Sequence, residues 1–302
     1  MTLLLAPGGS PEAVAAALGA GADAVYVGLR GWSRGGARSE LEWPEIAASA
    51  RLACAHGAEL QVALNTIPRP REEVLLRAAV PRLLDMGVRT LIVNDIGLLA
   101  SLGRTHPALR LTASIGCGAQ TPADVAAFAD IGAAAVVLPA TVDPDDAGAC
   151  VAAVPIAVEI MVHMVEEFVL LGRCAMPGYF QLRPTPLPDG APDARRQSGS
   201  MKRGGVGACF KVCQKPWTLE DRAGRRAERA FPARQLSRLA DVPAYVAAGV
   251  AVLKLQGRSL PAEPLGALVA QYRRVLDAAT AGRPADPGPA PGLHPTWTVV
   301  GR

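Results

Sequence analysis

A chain of 302 residues, half of them hydrophobic and 19% charged, can fill one large α/β barrel or two ordinary domains, and this composition excludes wholesale disorder. Its net charge of +4 hints at an anionic partner without demanding nucleic acid, and six cysteines are too few and too uneven for a secreted disulfide framework. No run approaches the ~20 apolar residues of a membrane span and no basic segment precedes the apolar start, so a cytoplasmic, reducing location is expected, with thiols free to bind metal.

Along the chain, short runs rich in Val, Ile and Leu alternate with Ala/Leu segments of helical spacing. Eight runs read as strands: 3–7, 24–29, 60–66, 90–95, 110–116, 135–140, 156–163 and 251–258. Helices are predicted over 11–18, 43–55, 71–86, 97–103, 122–131, 144–154 and 260–278, several opened by proline and closed by glycine. Strands apolar on both faces, alternating with helices, indicate a parallel sheet, and eight units favour a closed (β/α)8 TIM-like barrel over an open doubly wound sheet. In such a barrel the chemistry sits where strands end. There the sequence places Pro7, Asn65, Thr66, Asn94, Asp95, Ser114, Cys117, Pro139, Glu159, His163, Lys254 and Arg258.

A long interval between the seventh and eighth strands breaks the rhythm. Residues 1–282 therefore read as one barrel domain carrying an insertion at about 164–248, with a Pro-rich tail over 283–302. The middle of the insertion, 183–205, has no periodicity and is expected to be a long loop. The insertion holds Cys174, Cys209 and Cys213, the last two at C-x3-C spacing. Thiolates favour iron–sulfur clusters or zinc, and three of them leave either a distant fourth ligand or an open position. Cys54 and Cys150 lie on apolar helical faces and read as packing residues.

Glu159 and His163, four apart on one strand, are expected on one face, pointing inward or up at the site. A buried Glu159 needs a partner, and Lys254 or Arg258 on the eighth strand would supply it, whether as a catalytic pair or as an ion pair closing the barrel. Basic residues crowd the insertion, among them Arg195, Arg196, Lys202, Arg203, Lys211, Lys215, Arg222, Arg225, Arg226, Arg229 and Arg234. They read as a solvated face or as a magnet for an anionic substrate. Without interleaved aromatics, RNA is the weaker partner.

The opening LLLAPGGSPEAVAAALGAGADAVYVGL, the LNT at 64–66, Gly172-Arg173-Cys174, the GAC-xxx-C at 207–213 and the late LKLQGR together resemble the U32 family of collagenase-like peptidases, in order and over nearly the whole chain. Within it, the length is similar to the UbiU- and UbiV-type members. The resemblance implies a [4Fe-4S] protein of oxygen-independent hydroxylation acting on an aromatic or quinone-type precursor, with prephenate as hydroxyl donor and a second U32-type chain as heterodimer partner. It equally admits a non-catalytic cluster-binding subunit, or hydroxylation of RNA. A peptidase is the poorest option, since no nucleophile-and-base arrangement is legible.

Carried over residue by residue, Cys174 matches the GRC cysteine and Cys209 and Cys213 the following pair. The family's earlier cysteine position holds Glu167 here, and Gln256 stands where a glutamate is usual. The fourth ligand is thus Cys117, Glu167, His163 or an exogenous group, with zinc as the alternative to a cluster. The catalytic candidates are Glu159, His163, Lys254, Arg258 and Asn65.

Overall fold

The computed structural model describes residues 1–33, 39–68, 70–165, 216–230, 234–284, 286–289 and 298–301. Eight parallel strands close on themselves: β1 (Leu3–Gly8), β2 (Ala24–Gly28), β3 (Glu59–Leu64), β4 (Thr90–Val93), β5 (Arg110–Ala113), β6 (Ala135–Leu138), β7 (Ala157–Val165) and, late in the chain, β11 (Val252–Leu255). β11 pairs with β1 on one side and β7 on the other, completing a (β/α)8 barrel.

Alternation along the strands decides what each side chain meets. Leu4, Val25, Val62, Leu91, Val136, Ile160 and Leu253 face outward into one helix-side core, while Leu5, Ala24, Tyr26, Ala63, Ile92 and Val252 fill the interior. The helices begin where their caps dictate. α1 (Pro11–Gly19), α5 (Pro122–Asp130) and α6 (Pro144–Ala153) each open with proline after Ser10, Thr121 or Asp143, whose side chains accept a first-turn N–H. Asp95 caps α4 (Ile96–Thr105) in the same way. α2 (Trp43–Ala55), α3 (Pro70–Asp85) and α8 (Ala262–Thr280) complete the predicted helices, each within two residues of its expected bounds at either end. At the bottom of the barrel Glu59 accepts from Thr90 Oγ1 at 2.6 Å and pairs with Arg110.

The interval between β7 and β11 adds elements that periodicity did not reveal. β8 (Pro216–Glu220) and β9 (Arg226–Ala230) form a separate antiparallel hairpin, on which Arg226 pairs with Glu220 and Arg225 with Asp221 in water. β10 (Arg234–Ser237) runs antiparallel to the end of β7, and the short α7 (Val242–Ala247) leads back to the barrel. Within the stretch expected as a tail, Gln271 Nε2 donates to the Pro287 and Pro289 carbonyls at 2.7 and 3.0 Å. Thr298–Gly301 then forms β12, parallel to β10. Cys150 is buried, as expected, but Cys54 is exposed: the helix turns it outward, so packing is not its role. Among the described residues no helix is long and apolar enough to cross a membrane.

Candidate functional site

Polar side chains converge at the C-terminal mouth because the inner positions of β7 and β11 are charged. Lys254 Nζ donates to Glu159 Oε2 at 2.8 Å, with both residues buried, and Thr112 Oγ1 reaches Glu159 Oε1 at 3.4 Å. Of the two partners expected for Glu159, the structure selects Lys254, and the pair spans the seam where the barrel closes. Beside it stands Tyr26, which donates its hydroxyl to the Leu255 carbonyl at 2.9 Å. Its phenol is pushed up to about 12, chiefly by burial; the Arg258 charge opposes the shift and Glu159 adds to it.

Arg258 takes a different place. Its Nη1 donates to Ser33 Oγ at 2.6 Å, and Ser33 Oγ donates in turn to Glu40 Oε1 at 3.0 Å. The guanidinium lies 5.8 Å from the Tyr26 ring centre, with Lys254 Nζ at 5.2 Å from the same ring. Two glycines make the room. A Cβ on Gly28 would stand 2.1 Å from Ser33 Oγ and 2.6 Å from Arg258 Nη1, and one on Gly9 would stand 1.6 Å from the Arg258 carbonyl oxygen. Since Gly28 is an inner position of β2, the guanidinium hangs over the barrel interior.

His163 does not share the face of Glu159. The pairing of β7 with β11 slips after Lys254, and Met161 and Met164, three apart, share one cluster with Val137, Ala140 and Leu236. Val162 belongs to the helix-side core, so a bulge puts two successive side chains, Val162 and His163, on the outer face. There His163, fully buried, stacks edge-on against Tyr272 of α8, with Tyr272 Oη 3.1 Å from Nδ1. Gln235 Nε2 donates to His163 Nε2 at 2.6 Å, which assigns the ring proton to Nδ1. Tyr272 Oη then donates to the Val162 carbonyl at 2.8 Å and sits 3.1 Å from Ser237 Oγ. Burial drives the Tyr272 phenol well above its usual range.

Gln256, at the position where a glutamate is usual in the family resembled, takes the Val165 N–H on its Oε1 at 2.6 Å and donates its own N–H to the His163 carbonyl. It splices the departing end of β7 to β11. Asn65 is half-buried just past β3, and Thr66 beside it is buried, its hydroxyl without a partner among the described residues. Cys117 sits in a single 3-10 turn after β5, its Sγ 3.5 Å from the carbonyl oxygens of both Val93 and Asn94, and it packs against the helix-side core. Cys174, Cys209, Cys213 and Glu167 lie outside the described residues, and among the described residues no three His, Cys, Asp or Glu side chains are grouped to hold a metal. Sequence reasoning missed Tyr26, Ser33, Glu40, Gln235 and Tyr272. Tyr26 alone carried a signal, as a polar-tipped residue at an inner position of an apolar strand.

Comparison with known proteins gives this geometry its setting. The 23S rRNA 5-hydroxycytidine synthase of Escherichia coli (strain K12) is 28% identical over 91% of this chain and 39% of its own length. The tRNA hydroxylation protein P of Haemophilus influenzae is 25% identical over 94% of this chain and 69% of its own, and a Porphyromonas gingivalis collagenase is 20% identical over 91% and 65%. The chain thus spans well under half of the rRNA-modifying relative. Residues 9–294 match the description Peptidase family U32, and the chain belongs to that family.

Proposed function

We propose that this chain is an iron–sulfur protein of oxygen-independent hydroxylation. The observation that carries the reading is the pair of alignments to proteins named for RNA hydroxylation, which run over 91% and 94% of the chain. Cys174, Cys209 and Cys213 would hold a [4Fe-4S] cluster, three soft thiolates of which two share C-x3-C spacing, a donor set that suits iron–sulfur ligation and, as the alternative, zinc. When bound, such a cluster supplies one-electron chemistry or an open iron position. His163 is a poor fourth ligand, because both ring nitrogens are engaged inside the protein. Among the described residues Cys117 Sγ lies against the Val93 and Asn94 carbonyls, so we place Glu167 or an exogenous group first for the fourth position and keep Cys117 as the alternative.

In this reading the substrate is an aromatic or quinone-type precursor and prephenate the hydroxyl donor. Lys254 and Glu159 hold the mouth polar without a net charge, while Tyr26, a neutral donor throughout the physiological range, keeps the closing seam in place. His163 acts as a positioning residue for the segment that leaves β7 toward the cysteines. A non-catalytic role, as the cluster-binding half of a pair with a second U32 chain, fits the same residues. RNA is the second substrate reading, favoured by the names of the relatives.

Anaerobic purification followed by iron and sulfide analysis tests the proposal. About four irons per chain are expected, lost on Cys174→Ser, Cys209→Ser or Cys213→Ser. Colourless protein carrying a single zinc would overturn it. Gelatin digestion that disappears with one named substitution would instead restore the peptidase reading, which the placement of His163 under α8 disfavours by leaving no room for a peptide at its imidazole.

A further inference from the structure

We infer that the outer face of α3 is a self-association surface, on which a second copy of this chain packs its own α3 antiparallel about a two-fold axis at Ala78. The inner face of this helix buries Leu76, Ala79, Val80 and Leu83. A helix that meets only water on its other side carries polar residues there. Here the outermost positions hold Val74, Leu75, Ala78 and Pro81, all exposed, with Val74 at 65% and Leu75 at 57%. Among the described residues no other helix exposes two large apolar side chains. The Glu73–Arg77 ion pair lies to one side of the stripe, and Arg82 is drawn aside over the Trp43 ring, 4.2 Å from its centre.

The ends of the stripe are complementary to each other. Arg71 and Asp85, both exposed, stand seven positions before and seven after Ala78, which is about two turns each way on the same face. Neither has an ion-pair partner among the described residues. A two-fold axis at Ala78 sets Arg71 of each copy against Asp85 of the other and Leu75 against Pro81, while the small alanine lets the backbones approach where the helices cross. This is the self-complementarity that an isologous contact between identical chains requires, so the occupant is a second copy rather than an unrelated protein. The stripe is about 21 Å long. One helix pair of that length offers less than the roughly 800 Å² per partner of a standard interface, so a reversible dimer with Kd of about 1–100 µM is expected. Because α3 runs back along the barrel after β3, antiparallel pairing turns the two mouths to opposite ends and leaves both open. The pairing is independent of the hydroxylation reading.

Sedimentation velocity of the full-length protein over about 1–200 µM tests the pairing. Reductant is kept present because Cys54 is exposed and could cross-link copies by itself. A concentration-dependent shift from monomer to dimer is expected, and Leu75→Glu should weaken it by about tenfold or more while the helix stays folded, its side chain being already in water. Arg71→Asp and Asp85→Arg each set like charges together at both ends of the helix pair and should each weaken the dimer several-fold. Both changes suit the helix dipole, so loss of fold is not what the experiment reads. Mixed in equal amounts, the two charge variants regain both opposite-charge contacts and should associate with each other as tightly as the unaltered chain does with itself. A protein that stays monomeric throughout, a dimer indifferent to Leu75→Glu, or a mixture that associates no better than either charge variant alone would overturn the two-fold pairing, as would an α3 face that binds only a different chain.

Discussion

Glu159 and His163 sit four residues apart on one strand, yet they belong to different molecules in a chemical sense. Glu159 faces the barrel interior and meets a cation across the seam; His163 faces the helices, where it meets the neutral Tyr272 and Gln235. One bulge separates them, and with it the strand changes from closing the barrel to launching the segment that carries the cysteines. The contrast teaches that on β7 charge marks the site side, and a neutral, fully hydrogen-bonded network marks the scaffold side.

The sharpest way to break this comparison is to remove one charge. Lys254→Met should destabilise the protein by about 3–5 kcal/mol in urea unfolding, because Glu159 would be left buried without its counter-ion. Adding Glu159→Gln should recover most of the loss. If the single and double variants unfold alike, the pair is not coupled and the distinction drawn for β7 fails.

Alkaline titration probes both sides at once. Of four tyrosines, Tyr26 and Tyr245 are pushed up to about 12 and Tyr272 is raised too, burial being the first cause each time. Their native values lie above the unfolded value near 10, so the native state keeps protons that the unfolded chain sheds. That stabilisation is complete below pH 10 and is lost as pH rises toward 12. Absorbance of tyrosinate is expected to rise late, in step with loss of the circular dichroism signal. Ionisation of three phenols near pH 10 in folded protein would contradict the burial of both clusters.

Tyr272→Phe addresses the scaffold side alone. The Val162 carbonyl would keep the Arg238 N–H and lose only its second donor, while His163 and Ser237 would lose the oxygen they share, for a cost of about 1–3 kcal/mol. Cluster content, if the proposal is right, should fall only as far as stability does. A stable Tyr272→Phe protein with no iron would make the network part of the site rather than its support.

How much of this was legible beforehand follows from what periodicity can carry. The eight barrel strands and seven helices announce themselves because apolar runs and proline-opened helices are local signals. The Glu159–Lys254 pair was legible too, since a buried acid demands a cation on the adjoining strand. His163 was misplaced for a physical reason: spacing of four implies one face only in an unbulged strand, and nothing local in EIMVHMV betrays the extra residue. β10 and β12 escaped notice because neither belongs to the strand–helix alternation and each is defined by a distant partner. Ser33 and Glu40 join the site through Arg258, more than two hundred positions away in the chain, a relation no spacing rule contains.

The smallest expected effect belongs to Cys117. Its position after β5 suits a ligand above the mouth, but the side chain packs against the helix-side core and its Sγ is 3.5 Å from the carbonyl oxygens of Val93 and Asn94, in the manner of a weak donor closing a turn. Serine is a smaller donor that keeps this role. Cys117→Ser should therefore leave iron content and the electron resonance spectrum of anaerobically purified protein unchanged, whereas Glu167→Ala should alter the spectrum. Should Cys117→Ser instead strip iron while the protein stays folded, the thiol must leave its carbonyls to reach the metal, and the fourth ligand is Cys117 after all.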